Sequence, residues 1–107
     1  MKKPRRSQEL KSVILWIRGP RKSGKTALAR ELCRKMNAIN LDGDIMRSSI
    51  SKGLGFSNAD RLENNLRIAR LASVLESQGF DVVVSTICPG RIKQAVYHLT
   101  GCKFIDL

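Results

Sequence analysis

The stretch Gly19-Pro20-Arg21-Lys22-Ser23-Gly24-Lys25-Thr26 holds a glycine, four residues, then Gly-Lys-Thr. That is the G-x-x-x-x-G-K-[ST] spacing, and each fixed residue has a physical task. Glycines let the backbone turn so that consecutive N–H groups face one anion. A helix starting behind the loop aims its positive end at the same anion. Lys25 reaches the β- and γ-phosphates of a nucleotide, and the Thr26 hydroxyl suits Mg²⁺, a hard ion that takes oxygen ligands. The loop is therefore expected to bind a nucleotide. Arg21 and Lys22 stand where such loops often carry small residues. A positive φ at Lys22 would cost about 1 kcal/mol, partly offset by attraction between the two side chains and phosphate.

A second candidate is Leu41-Asp42-Gly43-Asp44. At the end of an extended strand, carboxylates two residues apart point to one side. One carboxylate can orient metal-bound water while the other accepts a proton from a substrate hydroxyl. Taken alone, the pair reads first as an Asp-Gly turn with solvated acids. The catalytic reading requires Asp44 to lie on the same side of the sheet as Lys25.

Elements that would hold these residues follow from hydrophobic spacing. Val13 to Ile17 is a continuous apolar run, the pattern of a strand buried on both faces. Thr26 to Met36 has helical spacing through Ala27, Leu28, Leu32 and Met36. Ala38 to Leu41 reads as a short second strand. Ser57 fits a helix cap with Asp60 three residues on, and Leu62, Leu66, Ala69, Ala72 and Leu75 form an apolar stripe before Gly79 stops the helix. On that reading Arg61 and Asn64, three apart, share a face turned away from the stripe. Phe80 to Ser85 is a third strand, Ile92 to Leu99 a helix, and Lys103 to Leu107 a fourth strand. Strands alternating with helices predict an α/β fold, a four-stranded parallel sheet with flanking helices. Its ligand edge lies beyond the carboxyl ends of the strands.

The chain has 107 residues, which argues for a single domain, with 42% hydrophobic and 27% charged residues. No apolar run approaches the ~20 residues of a membrane span, and Met1 to Ser12 lacks the apolar core of a signal peptide. The expected location is cytoplasmic, with no membrane partner. Cys33, Cys88 and Cys102 lack metal-site spacing and read as reduced thiols. The net charge of +11 is concentrated in the first third of the chain. Residues 1–11 read as a solvated basic tail, because no aromatic residues interleave with the charges as base-stacking platforms would. A nucleic-acid partner is accordingly disfavoured, though a basic half suits polyanions.

The combined motifs resemble the adenylylsulfate kinases (APS kinases) of the P-loop kinases. Leu41 to Asp44 with Arg47, Leu54 to Ser57, and Asp60-Arg61 with Glu63-Asn64 match the family's LDGD-x-x-R, LGFS and DR-x-EN. Val82 to Arg91 is similar to its S-F-I-S-P-Y-R strand and turn, and Val13 to Ala29 to its first strand and phosphate loop. The likeness implies a three-layer P-loop kinase sheet over residues 12–107. The implied reaction is transfer of phosphate from MgATP to the 3′-hydroxyl of adenosine 5′-phosphosulfate (APS), giving PAPS. It implies that Asp44 engages the ribose hydroxyl and that Asp42 supports the Mg²⁺ shell through water, with Thr26 as ligand. Arg47, Arg61, Asn64 and Ile87 would line the APS site, and Phe56 would stack on adenine. Such roles suit a doubly anionic purine ligand, which favours arginine forks and an aromatic face.

The chain departs from the family in places. Cys88 stands where the family has the serine to which a phosphoserine intermediate is attributed, and Gly90 replaces a tyrosine. Direct transfer between bound substrates needs no such serine, so Cys88 reads as a small packed residue. Asn65-Leu66-Arg67 keeps only the later of two family arginines. Beyond the last strand the family continues into a basic lid and closing elements, so the chain reads as a short form or fragment. Loss of a lid weakens water exclusion, and a lost arginine-type contact costs factors of ~10³. Three readings stay open: an APS kinase, a kinase for another small hydroxyl compound, and a nucleotide-binding module without catalysis. A homodimer is compatible with the first.

Overall fold

The computed structural model describes residues 12–107; the basic tail expected over residues 1–11 lies outside the described residues. Among the described residues four strands and four helices follow in the order β1 (Ile14–Arg18), α1 (Lys25–Met36), β2 (Ile39–Asp42), α2 (Gly43–Arg47), α3 (Asn58–Ser77), β3 (Val82–Thr86), α4 (Gly90–Thr100) and β4 (Lys103–Asp106). The sheet is parallel in the order β2-β3-β1-β4. The expected α/β fold is thus observed, and the order follows from the two inner apolar runs. All five residues of β3 are buried, and Trp16 and Ile17 of β1 are fully buried.

Alternation along the strands divides the core into two layers. Ile14, Trp16, Val82 and Val84 face α3 and α4 together with Ile68, Ala72, Ile92 and Val96. Ile17 and Val83 face α1 with Ala29 and Cys33. All three cysteines are buried and none is in a disulfide among the described residues. Among the described residues, no helix is long and apolar enough to cross a membrane.

The chain leaves β1 toward β2 and leaves β3 across β1 toward β4, in opposite directions. A crevice therefore opens at the carboxyl ends of β1 and β3, the switch point where such sheets bind ligands. Arg18 and Asp106, paired in register, close the far edge with a 2.6 Å ion pair.

Two expectations need correction. The second acid does not extend β2: Gly43 begins α2, a five-residue helix with no counterpart in the sequence reading. The α3 stripe turns inward at Ala69, Ala72 and Leu75 as expected, but not at its start. Leu62 is exposed, whereas Asn64 and Asn65 are buried, and apolar burial begins only at Ile68. The cause is position: the first turns of α3 border the crevice rather than the apolar layer, so polar side chains take the inner face.

Candidate functional site

The phosphate loop is curled between β1 and α1. Lys22 has φ 60° and Gly24 φ 93°, so both occupy the left-handed region. The lysine accepts the strained backbone anticipated above, at about 1 kcal/mol. A Cβ on Gly19 would come within 2.7 Å of Ser23 Oγ and 3.3 Å of the Leu107 carbonyl, so any side chain there would need its neighbours to shift. Lys25, the first residue of α1, folds back over the loop. Its Nζ donates to the Pro20 carbonyl at 2.6 Å and approaches Ser23 Oγ at 3.5 Å. Desolvation lowers the Lys25 pKa, while the neighbouring Asp44 and Asp42 carboxylates oppose that shift.

Asp42 organises the acidic edge. Its Oδ1 accepts from the backbone N–H groups of Asp44 (2.9 Å) and Ile45 (3.4 Å), which caps and starts α2. Its Oδ2 accepts from Thr26 Oγ1 at 3.2 Å and from the buried Ser85 Oγ at 3.3 Å. A Cβ on Gly43 would lie 3.1 Å from Thr86 Cγ2 and 3.2 Å from the Ser85 carbonyl, so the turn passes tightly over the end of β3. Asp42 and Asp44 still reach one cavity, through a cap and a helical turn rather than strand alternation.

The opposite wall comes from the α2–α3 connection and from α3. Ser57 Oγ caps α3 by accepting from Asp60 N at 3.1 Å, while Asp60 Oδ2 accepts from Gly55 N at 2.8 Å. Arg47 Nη1 donates to the Gly55 carbonyl at 2.7 Å, and its guanidinium lies 4.5 Å from the centre of the Phe56 ring. Phe56 is 63% exposed at this wall, an aromatic face open to a planar ligand. Arg61 Nε and Asn64 Oδ1 are buried without a hydrogen-bond partner. Such groups are costly unless something pairs with them, and both residues line the cavity.

That cavity measures about 430 Å³ and is lined by Arg21 to Ala27, Asp42 to Asp44, Arg47, Phe56, Arg61, Asn64 and Ser85 to Ile87. The curled loop and Asp44 thus stand on one side of the sheet. Gly19 and Pro20 instead face a smaller cavity of about 280 Å³ beside Arg18 and Cys88. Ala27, Gly43, Ser85 and Thr86 line the main cavity without having been singled out from sequence. The one available signal was the polar Ser85-Thr86 pair ending an apolar strand. Five cationic side chains against two carboxylates make the cavity a seat for polyanions.

The oxygen donors fit a hard divalent ion. Thr26 Oγ1 and Asp42 Oδ2 sit within 3.2 Å of each other, and a hydroxyl that donates to a carboxylate keeps lone pairs for a metal. Among the described residues no cluster of three His, Cys, Asp or Glu could hold an ion by itself. An ion seated here would complete its shell with phosphate oxygens and water, as Mg²⁺ commonly does.

Cys88 is buried and its thiol is pushed up to about 11, chiefly by desolvation, with Arg18 opposing. A thiol so held is a packed side chain and not a nucleophile at neutral pH. His98 is exposed on α4.

Comparison with known proteins agrees with this geometry. The adenylylsulphate kinase family profile matches residues 11–106. An adenylyl-sulfate kinase from Picosynechococcus sp. is 40% identical over 105 residues, covering 92% of this chain and 59% of that protein. The chain thus spans little more than half the length of this relative. The structure of Mycobacterium tuberculosis APS kinase CysC in complex with AMPPNP and APS superposes with TM-score 0.79 at 31% identity, over 90% of this chain and 61% of that one. A hexameric APS kinase from Thiobacillus denitrificans gives TM-score 0.77 at 26% identity, over 90% of this chain and 21% of that one. With a profile match across nearly its whole length and the P-loop kinase fold around the cavity, the chain belongs to the adenylylsulfate kinase family.

Proposed function

We propose that this chain binds ATP with Mg²⁺ on its phosphate loop and APS against α3, and transfers the γ-phosphate to the APS 3′-hydroxyl to give PAPS. The observation that carries the reading is the pairing, in one cavity, of the curled Gly24-Lys25-Thr26 loop with the unpartnered Arg61 Nε and Asn64 Oδ1. A phosphate donor needs the first; a polar, anionic acceptor needs the second.

Backbone N–H groups from Arg21 to Thr26 and the ammonium of Lys25 hold the β- and γ-phosphates. Lys25 leaves the Pro20 carbonyl to do so, exchanging one acceptor for a charged one. Thr26 and, through water, Asp42 would hold Mg²⁺, which when bound neutralises charge on the transferring phosphate. Asp44 accepts the proton of the 3′-hydroxyl as its oxygen bonds to the γ-phosphorus and the bond to the β–γ bridging oxygen breaks, releasing ADP. Arg47, Arg61, Asn64 and Ile87 orient APS, and Phe56 covers the adenine. No enzyme-bound phosphate is required, which suits a neutral, buried Cys88. A cytoplasmic location, a homodimer, and a domain over residues 12–107 belong to the same reading.

The test is titration with AMPPNP, then APS, followed by assay of PAPS from MgATP and APS. Lys25→Ala is expected to abolish AMPPNP binding, and unchanged affinity would remove the nucleotide site. AMPPNP binding without PAPS formation would leave a nucleotide-binding module in place of a kinase. Binding that collapses steeply with salt and prefers RNA would mark a polyanion surface instead.

A further inference from the structure

A chain of hydrogen bonds runs from the centre of the sheet to the acceptor wall of the cavity. The indole N–H of Trp16 donates to Thr86 Oγ1 at 2.9 Å, and Thr86 Oγ1 donates to Asn65 Oδ1 at 2.8 Å. The Asn65 amide then donates twice, to the Arg61 carbonyl at 2.8 Å and the Ile87 carbonyl at 3.3 Å. Trp16, Thr86 and Asn65 are all buried, none more than 4% exposed.

The polarity of this chain is fixed. An indole only donates, so Thr86 must accept from it and spend its own proton on Asn65. The Asn65 carbonyl is then the acceptor, and its NH₂ group must face the two backbone carbonyls. Every polar atom is used, which makes the network rigid. Its far ends are the first turns of α3, which carry Arg61 and Asn64, and the β3–α4 turn, which carries Ile87. These are residues that the proposed reaction assigns to APS.

We infer that Thr86 and Asn65 are positioning residues for the acceptor, locking the α3 turn of Arg61 to the β3–α4 turn at Ile87 and tying both to Trp16. The inference rests on the proposed function for the identity of the acceptor, but not for the lock itself. The donor half is held separately, by the loop closure of Lys25 on Pro20 and by Asp42 on Thr26.

Thr86→Val keeps the shape and removes the hydroxyl, breaking both of its bonds, whereas Thr86→Ser keeps them. Thr86→Val is expected to weaken APS about tenfold, because small misplacements of orienting groups cost that much or more. AMPPNP affinity should stay within about twofold, the scatter between independent sites. Thr86→Ser should restore APS binding. The sole tryptophan supplies a spectroscopic check, since its emission shifts when the indole loses its partner in Thr86→Val and not in Thr86→Ser. A ligand-free measurement separates this inference from the proposed function: amide exchange of Thr86→Val should quicken at Arg61 to Asn65 and at Ile87, but not at Lys25 to Ala29. If the wild-type chain fails to bind APS, the proposed reaction falls, and the exchange pattern and emission still decide the lock. Equal weakening of APS and AMPPNP, exchange quickened in both halves or in neither, or failure of Thr86→Ser to restore would overturn it.

Discussion

Asp42 does two things with one carboxylate, and two substitutions separate them. One oxygen caps α2 through Asp44 N and Ile45 N, and the other accepts from the Thr26 and Ser85 hydroxyls. Asp42→Ala loses the cap, about 1 kcal/mol. It also strands the buried Ser85 hydroxyl, which costs roughly 1–3 kcal/mol. The sum is about 2–4 kcal/mol, or a fall in melting temperature on the order of 10–25 °C for a chain this size. Asp42→Asn keeps a capping oxygen, since Asn and Asp cap about equally well. Its amide can donate to the two hydroxyl oxygens, so the loss should stay under about 1 kcal/mol. The negative charge beside Thr26 is gone in both variants. Losing a partner that supports a metal shell weakens metal binding by roughly 10–100-fold. Thermal unfolding by circular dichroism reads the first effect. Titration of AMPPNP with Mg²⁺ and with chelator reads the second. The expected result is an Asn variant that melts near the parent yet gains little AMPPNP affinity from Mg²⁺. An Asn variant as unstable as the Ala variant, or one with an undiminished Mg²⁺ gain, would refute the division of labour.

Three further outcomes follow from the same geometry. Arg61→Ala should weaken APS far more than AMPPNP in paired titrations; equal losses would count against placing the acceptor on α3. Lys22→Gly should leave stability within about 1 kcal/mol, because relief of the left-handed backbone and the added freedom of the unfolded chain oppose each other. The same variant should reduce the salt dependence of AMPPNP binding, and an unaltered salt slope would take Lys22 out of the phosphate seat. Above pH 9 the unfolded chain sheds the Cys88 proton while the folded chain keeps it up to about 11. That stabilisation is whole below pH 9 and is lost as pH rises to about 11, by at most roughly 2–3 kcal/mol. Cys88→Ala should flatten this alkaline decline in denaturant titrations at pH 8 and pH 10.5; an identical slope would show that another group causes it.

The phosphate loop was legible in the sequence because an anion cradle is local: its glycines, lysine and threonine are neighbours in the chain, and only the strand before and helix after are needed to place them. The inner strands were legible for a similar reason, since burial on both faces writes itself as an unbroken apolar run. α2 was not legible, because five residues are too few to show a helical period and its start depends on the Asp42 carboxylate turning back onto Asp44 N. Only the first turns of α3 were misread, because they meet a polar crevice: Leu62 is exposed there and Asn64 and Asn65 are buried, while Ala69 and Ala72 pack inward as expected. The strand order β2-β3-β1-β4 and the lock joining Trp16, Thr86 and Asn65 belong to the tertiary structure alone. Trp16 and Thr86 are 70 residues apart and Thr86 and Asn65 are 21 apart. No local spacing encodes such partners; they meet because parallel strands joined by helical crossovers bring distant carboxyl ends to one edge.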